Sequence, residues 1–174
     1  YSLPLRRVSK QHFTSKDDHF TEAQASANIM KFGYQLPGTM HIGMYIGGIK
    51  MLASDSQKKE WLEQCSSGKM VGCYAQTELG HGSDVQSLET TAEYDPITDE
   101  FVINSPTVTA AKFWAGDLGY YCNHALVFAR LISKGAFLGI HSFVVPVRNS
   151  QHRSLPGVEV GDIGPKDGYI SKDN

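Results

Sequence analysis

Apolar residues in the first third of the chain recur with helical spacing. From Thr39 onward, Ile42, Tyr45, Ile46, Ile49 and Leu52 fall three and four positions apart, which places them on one face of an amphipathic helix. Upstream, Thr21-x-x-Gln24 reads as a capping box opening a helix that runs to Gly33 and Tyr34, and Pro37-Gly38 breaks it. A second box, Ser54-x-x-Gln57, opens a third helix over about Ser56 to Gln64, with Trp61, Leu62 and Cys65 on its inner side and Gly68 as its stop. Gly43-x-x-x-Gly47 predicts close helix packing. A membrane dimer motif is disfavoured because the apolar run is short and carries Lys50.

Beyond Gly68 the pattern changes to short β-rich runs: Met70 to Gln76, Glu89 to Tyr94, Phe101 to Asn104, Val108 to Phe113, Ala125 to Leu131 and Ile140 to Val147. Asp95-Pro96-Ile97-Thr98 puts Pro at the second position of a turn, so Thr90 to Tyr94 and Phe101 to Asn104 should pair as a hairpin. Pro146 marks a strand end, and Gly157, Gly161, Gly164, Pro165 and Gly168 make the last segment loop-rich. The predicted fold class is therefore α+β: an α-helical segment over residues 1–68, followed by a β-sandwich or barrel over 69–174.

Composition narrows the function without naming it. With 41% apolar and 20% charged residues in 174, the chain is of ordinary globular type. A net charge of −2 and scattered Lys and Arg give no electrostatic footprint for nucleic acid. Cys65, Cys73 and Cys122 form no CxxC pair, so they read as core thiols, and no His or Cys spacing supports a metal site. No run is long enough to span a bilayer.

The stretch Tyr74-Ala75-Gln76-Thr77-Glu78-Leu79-Gly80-His81-Gly82-Ser83-Asp84 carries the strongest chemical signal. Gly80 and Gly82 permit close backbone approach or positive φ, and Gln76, Thr77, His81, Ser83 and Asp84 crowd hydrogen-bonding groups onto one turn. Two readings stand at this level. One is a cradle for a ring with donors and acceptors along one edge; the other is a Gly-rich turn whose polar residues cap their own backbone. A Rossmann fingerprint fails, since Val85 stands where its third Gly belongs, and no P-loop or GxSxG elbow is present. Further on, Phe113-Trp114 runs into the glycine turn Ala115-Gly116-Asp117, an aromatic wall for a planar ring or simply core and rim.

In order and spacing, Tyr-Ala-Gln-Thr-Glu-Leu-Gly-His-Gly from Tyr74, Leu88-Glu89-Thr90-Thr91-Ala92, Asn104-Ser105-Pro106-Thr107-Val108-Thr109, His141-Ser142-Phe143-Val144-Val145-Pro146, Leu155-Pro156-Gly157-Val158 and Gly161-Asp162-Ile163-Gly164-Pro165-Lys166 resemble the acyl-CoA oxidase family. The likeness is dense from about Val71 to Lys166. It implies the middle, flavin-binding region of that fold. It also implies an FAD site in which Thr77 hydrogen-bonds the flavin, Gly116 approaches it through its backbone, and Gln76 and Trp114 lie beside it. Ser83 is placed near the acyl-CoA by likeness to the related dehydrogenases.

The resemblance further implies oxidation of fatty acyl-CoA to trans-2-enoyl-CoA with O2 reduced to H2O2, a peroxisomal location and a homodimer. In the family, the glutamate that removes the α-proton comes from a C-terminal helical domain, which would lie beyond Asn174. No catalytic residue is therefore assigned in this chain, and Glu78 and Asp84 are expected to accept amides or pair with a cation instead.

Two departures from the family pattern stand out. Ala115 and Asp117 replace a usual Pro and Gly, so Asp117 is expected beside the flavin, and the stretch between Lys166 and Asp167 is several residues shorter than usual. Both ends read as cut from something longer. The rival readings are an acyl-CoA dehydrogenase that uses a protein electron acceptor, and a non-catalytic oxidase-like binding protein.

Overall fold

The computed structural model describes residues 38–167 and Asp173. The expected first helix around Thr21 to Tyr34 lies outside the described residues. Gly38 sits at φ +87, a conformation that favours glycine, and the chain then winds through a π-helical turn, His41–Tyr45, into α1, Ile46–Leu52. The expected face is largely the inward one, with Tyr45 and Ile49 in the core and Ile46 packed against it. His41, Tyr45, Gly48 and Ile49 are buried, whereas Leu52 is exposed. The close approach is made by Gly48, where a Cβ would lie 2.4 Å from Leu126 Cδ2, and not by Gly43 or Gly47, which both face open space.

Helix α2, Asp55–Ser66, starts as the sequence predicts. Ser54 Oγ accepts the Gln57 amide at 3.4 Å, Gln57 Oε1 accepts the Ser54 amide at 2.9 Å, and Gly68 at φ +70 follows its end. No helix among the described residues is long and apolar enough to cross a membrane.

The described strands are β1 (Gly72–Ala75), β2 (Thr91–Asp95), β3 (Glu100–Asn104), β4 (His124–Ser133) and β5 (Ala136–Pro146), and they form one five-stranded mixed sheet. Strand β4 is its axis. One edge takes β1 and then β2, both parallel, while β5 runs antiparallel along the other. The predicted hairpin is present as β2 and β3, with Thr91 opposite Asn104 and the Asp95 carboxylate accepting the Ile97 amide at 2.8 Å. Val108 to Phe113, expected as a strand, instead folds as two turns followed by an isolated bridge at Lys112, because Ala110 and Ala111 donate back to Thr107 and Val108.

Alternation along the strands sends side chains to two cores. Tyr45, Ile49, Cys65, Met70 and Leu126 pack on the helical side. Cys73, Ala75, Ala115, Cys122, Ala125, Val127 and Val147 pack on the other, where the 110–122 segment covers the sheet. All three cysteines are buried and free, as core thiols should be. His41 fastens the helical side to the sheet: its Nδ1 accepts the Gly72 amide at 3.1 Å.

Candidate functional site

The stretch after β1 is zipped against residues 109–113. Phe113 donates its amide to Thr77 O at 3.0 Å, Leu79 to Ala111 O at 2.9 Å and Gly80 to Thr109 O at 2.9 Å. Glu78 and His81 exchange backbone hydrogen bonds of 3.0 and 3.1 Å, closing a tight turn. Gly80 is required by contact with the chain itself, since a Cβ there would lie 2.8 Å from Thr109 Cβ; Gly82 has open space before it, and neither glycine has positive φ. The turn thus caps its own backbone, and it also carries exposed groups outward.

A buried ion pair holds this ladder from behind. Glu78 is 2% exposed, and its carboxylate accepts the Glu89 amide at 2.7 Å, the Thr90 amide at 2.9 Å and Lys112 Nζ at 2.9 Å. Burial alone would push that carboxyl up; the amides of Glu89 and Thr90 and the Lys112 ammonium outweigh it and hold it below the usual range. Burial pulls Lys112 down, against the attraction of Glu78. Lys112 Nζ also donates to Gln76 O at 3.1 Å and Phe128 O at 2.7 Å. Glu78 is therefore fully committed, as expected of a carboxylate that is not the base, and Asp84 is exposed at the start of a short 3-10 turn, Val85–Ser87.

A second carboxylate ties the turn to the neighbouring loop. Glu89 meets His81 Nε2 at 2.9 Å and accepts Thr107 Oγ1 at 2.5 Å and Thr109 Oγ1 at 3.1 Å, and these contacts, Thr107 first, hold its carboxyl below the ordinary range.

The aromatic turn is built as rigidly. Trp114 has φ +52 and Asp117 φ +72, both uncommon for residues with a Cβ. Asp117 is fully buried, and its Oδ2 accepts the Gly38 amide at 3.1 Å. Arg148 donates to the carbonyls of Leu118 at 2.8 Å, Gly119 at 2.5 Å and Cys122. Asp173 Oδ2 accepts the Tyr120 and Tyr121 amides at 2.7 and 2.8 Å.

Of the predicted site residues, Gln76 and Thr77 are brought beside Phe113 and Trp114 by the ladder. Thr77 is exposed, and its hydroxyl has no partner among the described residues. Trp114 is 51% exposed and Phe113 38%, while Gly116, two residues on, is buried. Ser83 lies beyond the Glu78–His81 turn and is exposed.

Sequence reading passed over Lys112, Arg148 and Asp173. A lysine inside a stretch read as a strand was the available signal for the first, because a buried ammonium demands an acidic partner. An open hydroxyl, an apolar aromatic rim and an absence of outward-facing charge from Glu78, Lys112 or Asp117 fit the edge and face of a planar heteroaromatic ring such as a flavin.

Comparison with known proteins agrees in family. The family model described as acyl-CoA dehydrogenase, middle domain, matches residues 73–173. Peroxisomal acyl-coenzyme A oxidase 1 of Arabidopsis thaliana is 52% identical over 139 residues, covering 78% of this chain and 21% of that protein. Its Homo sapiens counterpart is 49% identical, covering 79% of this chain and 21% of the relative. The chain thus spans about a fifth of the length of these curated relatives. Acyl-CoA oxidase-2 of Caenorhabditis elegans, solved bound with FAD, ascaroside-CoA and ATP, is 42% identical with a TM-score of 0.86, covering 97% of this chain and 26% of that one.

Proposed function

The chain belongs to the acyl-CoA dehydrogenase middle-domain family, on its acyl-CoA oxidase branch, and from that premise we propose that it is the flavin-holding part of a peroxisomal, FAD-dependent acyl-CoA oxidase. The reaction is oxidation of a fatty acyl-CoA to trans-2-enoyl-CoA, with O2 reduced to H2O2. Residues 69–174 form the flavin-binding middle domain and 1–68 part of the preceding helical domain; the working enzyme is a homodimer.

The observation that carries this reading is the Thr77 hydroxyl, without a partner among the described residues, beside the exposed Phe113-Trp114 rim, both on a ladder fixed from behind by Lys112 and Glu78. Thr77 donates to the polar edge of the ring system and Gln76 flanks it. Trp114 covers the ring and Gly116 lets the backbone come close behind. Ser83, displaced along the loop, is assigned to the acyl-CoA. FAD, when bound, supplies the two-electron acceptor for the hydride from the acyl β-carbon and the outlet to O2.

This chain's own residues bind, orient and exclude water. The carboxylate that takes the α-proton is assigned to the part of the enzyme outside this chain, because Glu78 is locked to two amides and an ammonium.

Thr77→Val tests the assignment. The variant keeps the shape and removes one hydrogen bond, so FAD affinity of the intact protein should fall by about 1 kcal/mol, roughly fivefold in Kd, with folding stability unchanged. Titration of the flavin-free protein with FAD, followed by flavin fluorescence, gives the number. Equal affinity for the two proteins would remove Thr77 from the site.

A further inference from the structure

Thr77 is an exposed residue between two neighbours held inward by one cation. Lys112 Nζ takes the carbonyl of Gln76 on one side and the carboxylate of Glu78 on the other, and its third contact, Phe128 O, anchors it to β4. Their side chains are 10% and 0% exposed, so solvent does not soften the pair. The same lysine immediately precedes Phe113-Trp114, and Phe113 donates its amide to Thr77 O. One ammonium therefore fixes both the hydroxyl-bearing residue and the aromatic turn, the two halves of the candidate site, relative to the sheet.

We propose that Lys112 is a positioning residue for the flavin: with Glu78 it sets the gap between the Thr77 hydroxyl and the Phe113-Trp114 rim, and it touches no ligand itself. This rests on the flavin reading given above. A hydrogen bond to a ring edge requires the hydroxyl to be placed within a few tenths of an ångström. The two carbonyls and the carboxylate that Lys112 gathers belong to two segments, the 76–78 stretch and β4, so removing it takes away the side-chain tie between that stretch and the sheet while the backbone ladder to the rim stays.

The test is a coupling measurement on the intact protein freed of flavin. FAD dissociation constants are measured for wild type, Lys112→Met and Glu78→Gln, each with and without Thr77→Val. Ile49→Ala serves as a destabilised control, since Ile49 is buried in the helical-side core away from this ladder.

Lys112→Met should weaken FAD on the order of tenfold, the scale usual for groups that orient a ligand-contacting residue. The Thr77→Val loss seen in wild type should largely disappear in the Lys112→Met background, because the hydroxyl is already displaced, and Ile49→Ala should leave affinity unchanged. A full Thr77→Val loss persisting without Lys112, or an equal weakening by Ile49→Ala, overturns the proposal. If Lys112→Met does not fold, Glu78→Gln, which keeps the side-chain shape, carries the same cycle. Wild-type protein that binds no FAD defeats the flavin reading and the proposal with it, an outcome distinct from binding without coupling.

Discussion

Replacing Arg148 by methionine is expected to destabilise the protein by about 3–5 kcal/mol, because it strips two buried carbonyls and one part-buried carbonyl of this donor at once. The guanidinium reaches Leu118 O, Gly119 O and Cys122 O from just beyond the end of β5, at 7% exposure. Those carbonyls line the turn that continues from Trp114 and Gly116. Methionine fills similar volume, so the loss reports the hydrogen bonds rather than a cavity. Lysine should recover little, since a single ammonium lacks the planar fork that serves separated acceptors. Thermal unfolding of the intact protein should show a fall of roughly 10 °C or more. A methionine variant within about 1 kcal/mol of wild type would mean that the turn holds its shape without Arg148.

Stability should also drop between neutral pH and pH 5 through His41. The ring is 1% exposed, and Nδ1 is an acceptor for the Gly72 amide, which a protonated imidazole cannot be. Burial lowers its pKa from 6.5 to about 4, against a smaller opposing pull from the Cys65 backbone. Between those values the unfolded chain binds the proton and the folded one does not, so stability rises with pH across the window. It is fully present above about 6.5 and lost as pH falls toward 4, a total of roughly 3 kcal/mol. Denaturant melts at pH 7.5, 6 and 5 should follow this slope in wild type and a flatter one in His41→Gln, which keeps an acceptor and cannot titrate. Equal slopes in the two proteins would assign the dependence elsewhere.

Features set by neighbours in sequence were legible. The Ser54–Gln57 box, the β2–β3 hairpin and the stop at Gly68 each depend on residues within a few positions, and all three are present. The placement of β1 and β2 along one edge of β4 was not, because parallel pairing joins segments far apart and leaves no local mark. Val108 to Phe113 carried strand-like residues, yet Thr107 and Val108 turn the chain before it can extend. The inward face of the first described helix was legible in its spacing, since Tyr45, Ile46 and Ile49 pack on the helical-side core, whereas Leu52 at its end is exposed and the π-helical form of the first turn left no local mark.

At the candidate site, Thr77, Gln76 and Trp114 were proposed from polar crowding, an aromatic turn and family likeness; Thr77 and Trp114 are exposed and Gln76 half-buried. Their support was hidden. Lys112 and Glu78 meet across 34 positions, and Asp173 returns to Tyr120 from 53 positions away. Asp117 shows the converse: a carboxylate read as a departure from the family pattern is fully buried and accepts the Gly38 amide from 79 positions away.

Anaerobic mixing of the purified intact protein with a fatty acyl-CoA, followed by addition of O2, tests the central claim most directly. The account predicts bleaching of a visible flavin band on mixing, then rapid return of the band with release of H2O2 equal to the flavin reduced. A protein with no flavin band, or one that bleaches and stays reduced in O2, would contradict it.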